Sequence, residues 1–480
     1  MKGTKMIICS VMLFTVSLQS LWAQPAGAPA NQITVSLDEL PDFREVYVNT
    51  VSEVQFYDVY VYPASTELLI EAEPPFKVSL SCNDGFETSI TLTPTAGTID
   101  ERVYVRAFPE SVGDYSPMIS HTSTSAGTAD LQGSITVITT GIPGGYYTTA
   151  TATGSELKTQ LHHIIKGHNE LSYGSLWYHM QTTDVTFGGY VWDIYSDIPC
   201  SEPPYLFVFE DDQDSGSGGN QEGDVYNREH SMPKSWFGGS VSPMNTDLYH
   251  IYPTDKRVNA VRGSYPFGEV ENPQWTSLNG SRLGPNTAGS NYSGIAFEPI
   301  DAYKGDLARS YFYMITRYED RIEDWTYNDL GNAMFDHNTY PGFQQWAVDM
   351  LMEWHRNDPV SHREHLRNDA IYQVQGNRNP FIDHPEFAER IWGDTTAVSV
   401  SHPYVQQVVI YPNPANNSLS FQAPFNVESI EVYDMQGKRI VVFKPSQSTG
   451  QADVSMLTPG IYTLRFLGDN IHMSKRLQIY

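Results

Sequence analysis

A chain of 480 residues with 40% hydrophobic and 12% aromatic side chains has ample apolar surface to bury, so its composition excludes wholesale disorder. Its 29 Lys and Arg against 56 Asp and Glu leave a net charge of −27. Taken globally, that acidity opposes a nucleic-acid partner, whose phosphates need positive charge, unless the acid is unevenly placed.

The first 23 residues predict a secretory signal peptide. Lys2 and Lys5 form a positive start, residues 6–18 an apolar run, and Leu21-Trp22-Ala23 a cleavage site. The run is shorter than a membrane span, and no other stretch is long and apolar enough, so no stable span is expected. The mature chain is expected outside the cytoplasm. Cys9 leaves with the signal. Cys82 and Cys200 fall in different expected domains, so a disulfide between them is not expected. After a Pro/Ala linker at 24–31, the runs QITVSL, VQFYDVYVY, LLIEAE, FKVSLS, SITLTP, RVYVRAF and GSITVIT read as short strands separated by Gly, Pro, Asn and Asp. They predict an Ig-like β-sandwich over residues 24–143, with the role of a spacer or ligand-binding module.

At Gly144-Gly145 the pattern changes. Ser155 is expected to cap a helix whose Leu157, Leu161, Ile164 and Ile165 share one buried face, with His162, His163 and His168 at its surface or end. Further helices are expected at 304–318, 343–355 and 362–372, giving a mixed α+β domain over 144–394. A linker at 395–404 leads to alternating strands with Asn-Pro, Gln-Gly and Pro-Gly turns. These predict a small C-terminal β-sandwich at 405–480.

The acid is indeed uneven. Residues 210–214 (EDDQD) open a Gly/Ser-rich stretch that reads as a solvated loop, whereas Lys234, Lys256, Arg257, Arg262, Arg282 and Lys304 roughly offset the acids that follow. Between them stands Asn227-Arg228-Glu229-His230. Hydrolysis of a phosphodiester needs an activated water, stabilisation of the phosphoryl charge and help for the leaving oxygen. A neutral His can take the proton from water near pH 7. A hard cation on Asp, Glu or Asn oxygens can hold the leaving oxygen, and because Mg²⁺ keeps several waters, one or two protein ligands suffice. Adjacent strand residues face opposite ways, so for Glu229 and His230 to act together the chain must bend there.

The stretches EGDVYNREHSMPKSWF, TDLYHIYPTDKRVNAVRG, FEPIDAYKGDLARSYFYM and QGNRNPFIDHPE resemble the bacterial endonuclease I family, secreted nucleases with a ββα-metal active site. The resemblance implies that His230 is the general base, that Glu229 and Asn291 bind Mg²⁺ (or Ca²⁺ or Mn²⁺ in its place), and that Arg262 grips the scissile phosphate. Other readings stay open. Asn291 could cap a loop, with Glu298 as the replacement ligand, and Arg262 could pair with Glu269. His250 is expected to orient the motif, and Asn377, Arg378 and Asn379 to be structural. His362 and His365 lack a third partner for zinc. The C-terminal segment resembles the sorting domain of type IX secretion cargo through YPNP at 411–414, YDMQGK at 433–438, the Pro459-Gly460-Ile461-Tyr462 turn and Lys475-Arg476.

The expected protein is a secreted, Mg²⁺-dependent, monomeric, non-specific endonuclease. It would act on DNA, on RNA or on both, the preference between them being open, leave 5′-phosphates and leave the cell through the type IX machinery. Its rival is a surface nucleic-acid-binding or adhesive protein whose nuclease core is inactive.

Overall fold

In Gln55–Val61 every second side chain is buried, as a strand with one face on a core requires. The computed structural model describes residues 32–393, except 290 and 326–328, and residues 408–479, except 412–414, 416–417, 434–437, 446, 459 and 469–470. The expected signal peptide and both linkers lie outside the described residues. The chain divides into two compact units, Met1–Pro385 and Glu386–Tyr480.

The first unit opens with β1 (Ile33–Val35), β2 (Glu45–Tyr47), β3 (Gln55–Val61), β4 (Leu68–Ala72), β5 (Phe76–Ser79), β6 (Ser89–Leu92), β7 (Ile99–Ala107), β8 (Gly113–Tyr115), β9 (Met118–Ser123), β10 (Gly127–Gln132) and β11 (Ile135–Ile138). They form sheets ordered β1-β3-β7-β5, β10-β9-β4-β6 and β2-β11-β8. One hydrophobic core draws on all three: Val59 and Val103 from the first, Ile70 and Ile119 from the second, Val46 and Val137 from the third. The seven expected runs fall on strands. Four more were not expected. β2 and β8 are too short to show a period, and β9 and β10 (MISHTS and GTADLQ) are polar enough to read as loop. Their mutual pairing, from Gly127↔Ser123 to Gln132↔Met118, supplies what propensity does not.

Next come α1 (Gly154–Ile165), α2 (Leu176–Thr183), β12 (Tyr226–His230), β13 (Ile251–Asp255), α3 (Lys256–Arg262), β14 (Trp275–Thr276), β15 (Arg282–Pro285), β16 (Ile295–Glu298), α4 (Lys304–Arg317), α5 (Asp329–Asn332), α6 (Gln345–Asn357), α7 (His362–Gln375) and α8 (Pro380–Asp383). The α4 helix is buried along its whole length and packs against α1, α6 and α8. The α6 helix starts two residues later than expected, because Phe343 bridges to Phe335 instead and Gln344 takes the N-cap. A capping box between Ser361 and Glu364 opens α7, and Gly376 at φ 79° closes it in the left-handed conformation.

The α1 helix corrects two expectations. Its N-cap is Thr153, with no side-chain cap, so Ser155 lies inside the helix. His162 is buried rather than at the surface, because it shares the inward stripe of Leu157, Lys158, Leu161 and Ile165. The polar members of that stripe find partners: Lys158 Nζ lies 2.8 Å from Glu319, and His162 Nδ1 lies 3.0 Å from the Arg317 carbonyl oxygen.

The β-rich region and the region that follows it are joined covalently, against expectation. Cys82 and Cys200 form a disulfide with Cα atoms 5.8 Å apart, 118 residues apart in sequence. Both sit outside strands and helices, so nothing local announces that the two loops meet. Around the same boundary Arg363 grips Glu53 at 2.6 and 2.5 Å, and the Tyr47 hydroxyl donates to Asp369 at 2.6 Å. His362 donates from Nε2 to the Glu45 carbonyl at 2.6 Å and accepts the Glu53 amide at Nδ1, so neither ring nitrogen is left for a metal. Cys200→Ser is expected to lower stability by about 2–4 kcal/mol, because the bridge closes a long loop in the unfolded chain. The urea midpoint should fall accordingly. An unchanged midpoint would mean that the polar contacts alone hold the boundary.

The second unit contains α9 (Glu386–Trp392) and strands β17 (Val409–Tyr411), β18 (Ser418–Val427), β19 (Ser429–Tyr433), β20 (Arg439–Phe443), β21 (Gln447–Asp453), β22 (Gly460–Gly468) and β23 (Ile471–Ile479). Their sheets run β17-β18-β21 and β20-β19-β22-β23 and share a core that includes Leu419, Phe421, Val432, Leu464 and Phe466. Residues 412–414 of the YPNP text, 434–437 of the YDMQGK text and Pro459 lie outside the described residues.

Candidate active site

β12 and β13 pair antiparallel, with Glu229 opposite Tyr252 and His230 opposite Ile251, and α3 follows without a break. Asp255 makes the strand-to-helix corner possible. Its Oδ1 accepts the Val258 amide at 2.9 Å as an N-cap, and its Oδ2 accepts the Gly223 amide at 2.7 Å. The outer edge of β12 is covered by the acidic segment. Gln213 bridges Tyr226, and Asp214 pairs with Lys256 at 2.9 Å. This segment is therefore anchored to the strand, not merely solvated as expected, because β12 offers it unpaired backbone groups.

His230 is the last residue of β12, and the chain leaves the strand there, with the Ser231 amide donating to the His250 carbonyl at 2.8 Å. Glu229 and His230 are consequently both buried, at 2% and 8% exposure. A bend follows at Ser231, and among the described residues no side-chain contact joins Glu229 to His230.

Glu229 Oε1 accepts the Tyr195 hydroxyl at 3.1 Å and lies 3.2 Å from Arg262 Nη1. Among the described residues no donor reaches Oε2. Burial pushes the carboxyl up to about 7, against the pull of Arg262 and of the Tyr195 hydrogen bond. His230 Nε2 lies 3.2 Å from the Asn245 carbonyl oxygen. A carbonyl can only accept, so Nε2 carries the proton and Nδ1 the lone pair. Burial first, then His250, Lys234 and Arg228, hold the imidazole down at about 3, so it is neutral at pH 7. The Tyr173 ring lies 6.2 Å from it at 21°, and His250 meets it edge-on at 5.4 Å.

Arg262, at the end of α3, is 1% exposed. Besides Glu229 it donates from Nη1 to the His230 carbonyl at 3.1 Å and from Nη2 to the Ser231 carbonyl and to the Tyr311 hydroxyl, the last at 3.3 Å. The guanidinium thus ties the carboxylate to the backbone of the bend. Its alternative partner Glu269 is engaged elsewhere, with Lys304 at 2.9 Å and the Trp354 indole. Glu298 is 2% exposed and pairs with Lys304 at 2.8 Å and Arg282 at 2.7 Å. Asn291 is exposed on the loop from β15 to β16, in a different sheet. None of the contacts of Glu229, His230 or Arg262 involves it. His250 is fully buried and holds the Met244 carbonyl at 2.7 Å, an orienting contact. Asn377, Arg378 and Asn379 are buried, with Arg378 clasping Asp383 at 2.7 and 2.8 Å.

Sequence reasoning brought Glu229, His230 and Arg262 into view but not Tyr195, Tyr311, Tyr173 or the Asn245 carbonyl. A carbonyl has no sequence signature, and one Tyr among 30 is not distinguished by its neighbours.

By class, the region is a two-stranded ribbon running directly into a helix, with a buried acid and a buried imidazole at the strand end. Comparison with known proteins narrows the class. Residues 153–386 match the family model of endonuclease I, and residues 409–480 match that of a secretion-system C-terminal sorting domain. The extracellular ribonuclease of Bacillus amyloliquefaciens is 36% identical over 255 residues, covering 52% of this chain and 78% of that protein. The extracellular ribonuclease of Bacillus subtilis is 38% identical over 247 residues, covering 50% and 75%. Endonuclease-1 of Buchnera aphidicola is 23% identical over 171 residues, covering 32% and 60%. The chain belongs to the endonuclease I family. It is a secreted or cell-surface nuclease and carries a type IX secretion C-terminal sorting domain. No described helix is long and apolar enough to cross a membrane.

Proposed function

We propose that this nuclease hydrolyses phosphodiester bonds of both DNA and RNA with little sequence preference, that it requires a divalent cation, Mg²⁺ in the first place, and that it leaves 5′-phosphates. The observation that carries this reading is the pose of His230. With Nε2–H committed to the Asn245 carbonyl, Nδ1 is the one ring atom able to accept a proton from water. Glu229 fits a hard cation: it is buried, its Oε1 is held in place, and among the described residues no donor reaches its Oε2. When bound, the cation would neutralise charge on the phosphate and on the leaving oxygen. Asn291 is the second proposed ligand. Arg262 stands behind Glu229, where it keeps the carboxylate oriented and favours a phosphate in front of it. Contacts made to the sugar–phosphate backbone carry no base information, which supports low specificity.

On the same reading, residues 24–143 form an accessory Ig-like sandwich, 144–394 the catalytic domain and 405–480 a small C-terminal sandwich. The test is digestion of plasmid DNA and of RNA with Mg²⁺ and with EDTA. Both substrates should be degraded with Mg²⁺, and EDTA should stop degradation. Digestion that persists in EDTA refutes the cation, and digestion of one polymer alone refutes the dual substrate.

A further inference from the structure

The face of β12 that carries His230 also carries Arg228, two residues earlier, and both side chains meet the same ring. Tyr173 stacks near His230, and the Arg228 guanidinium carbon lies 3.7 Å from the centre of that ring. The same carbon lies 4.1 Å from the Trp177 ring, and Arg228 Nη1 donates to the Tyr173 carbonyl at 2.6 Å. Trp177 is in turn held edge-on against Tyr226 at 5.5 Å. Two rings and a carbonyl therefore fix the guanidinium plane.

What the guanidinium lacks is a direct ion pair: Asp214 acts on it only through space and is itself paired with Lys256 at 2.9 Å. Among the described residues no carboxylate lies within ion-pair distance of Arg228, and its Nε and Nη2 have no protein acceptor. Neither atom is a sealed, unsatisfied buried group, so both are open to solvent. Other arginines of the chain, Arg44 and Arg106 among them, also rest on a ring and backbone carbonyls without an ion pair among the described residues, but Arg228 is the one that shares its ring with His230. Arg262, Arg309, Arg363, Arg367 and Arg378 all have carboxylate partners. A pre-oriented, unpaired planar cation beside a hydrolytic site matches one ligand chemistry, a phosphate taken through two parallel N–H bonds. Residues two apart on a strand stand about 6.8 Å from each other, on the order of the spacing of neighbouring phosphates along a nucleic-acid strand.

We infer that Arg228, clamped by Tyr173 and Trp177, binds the phosphate of the nucleotide next to the scissile bond. Arg228 is then a positioning residue for the polymer. This rests on the reading that His230 performs the hydrolysis.

Arg228→Ala in the full secreted chain should raise KM for an oligonucleotide roughly tenfold. It should also reduce the salt dependence of log(kcat/KM) by about one phosphate contact, with kcat carrying the smaller part of the loss. Arg228→Lys should restore the salt slope, because it returns the charge, while recovering KM only in part. An unchanged salt slope, or a loss confined to kcat, overturns the inference, because a residue that only shapes the strand would behave that way. Fluorescence anisotropy of a labelled oligonucleotide on His230→Ala, with and without Arg228→Ala, keeps the two readings apart. If His230→Ala still cleaves, the assignment of the base fails while the binding slope still judges Arg228. If His230→Ala is inactive and the two slopes coincide, Arg228 alone is misassigned.

Discussion

Replacing His230 with alanine is expected to lower cleavage of DNA and of RNA by about 10²–10⁴-fold, the usual worth of a positioned general base. The expectation rests on geometry. The imidazole is neutral, its proton is on Nε2, and the Asn245 carbonyl holds it there, so Nδ1 needs no rearrangement to act. The fold should survive. The substitution leaves the Asn245 carbonyl without its donor, a cost of about 1–3 kcal/mol. Single-turnover rates on a short duplex and on a single strand would measure the effect, with a thermal melt as the control. A His230→Ala protein that cleaves at the parent rate while melting normally removes His230 from the mechanism. His230→Gln is a useful companion, because its amide can donate to the same carbonyl and yet cannot accept a proton from water near pH 7.

Glu229→Ala is expected to abolish cleavage and, unlike a surface carboxylate, to destabilise the protein by about 3–5 kcal/mol. Arg262 is 1% exposed, and Glu229 is the carboxylate that pairs with it, so the truncation leaves a charge in the interior. Glu229→Gln should cost less, because a neutral amide can still pair with the guanidinium. The decisive protein is the double variant Glu229→Ala, Arg262→Met. Removing the stranded cation should recover part of the lost stability, though not all of it. The His230 and Ser231 carbonyls and the Tyr311 hydroxyl lose their donor at the same time. Cleavage should not return. Recovered stability would establish the carboxylate as the counter-charge of Arg262; because Arg262 is itself proposed to act on the phosphate, an inactive Glu229→Gln, which keeps Arg262, is what would show the cation-ligand role. If cleavage returns with stability, Glu229 served the fold alone.

These expectations draw unequally on sequence and structure. The helices at α4, α6 and α7 were legible to within a few residues, α4 and α6 through an apolar stripe and α7, whose buried face is mostly polar, through its capping box. The strands β3, β4 and β7 were legible because burial alternates along them. By contrast, β9 and β10 exist through their neighbours, β10 through β9 and β9 through both β10 and β4. Ser155 was a plausible cap that the helix overran, and His162 looked like a surface residue because its partners, the carbonyls of Thr316 and Arg317, are over 150 positions away.

At the site the same division holds. Asn227-Arg228-Glu229-His230 can be picked out by chemistry alone, since an acid, a base and a cation in four residues is a local pattern. Which of two arginines is buried against Glu229 and which is left open on the His230 face is not local. It follows from the strand's two-residue alternation, combined with where α3 delivers Arg262 and where the 173–177 segment folds over.

By itself the sequence determined the family, the export tail, the order of β-rich and helical regions and the residues able to do the chemistry. Those depend on side-chain type and on spacing over a few residues. Only the tertiary structure decided the protonated nitrogen of His230, the partner of Arg262, the open donors of Arg228 and the Cys82–Cys200 bridge. Each of these is a choice among chemically equivalent partners. Proximity makes that choice, and proximity between distant segments is a property of the packed chain that no short stretch encodes.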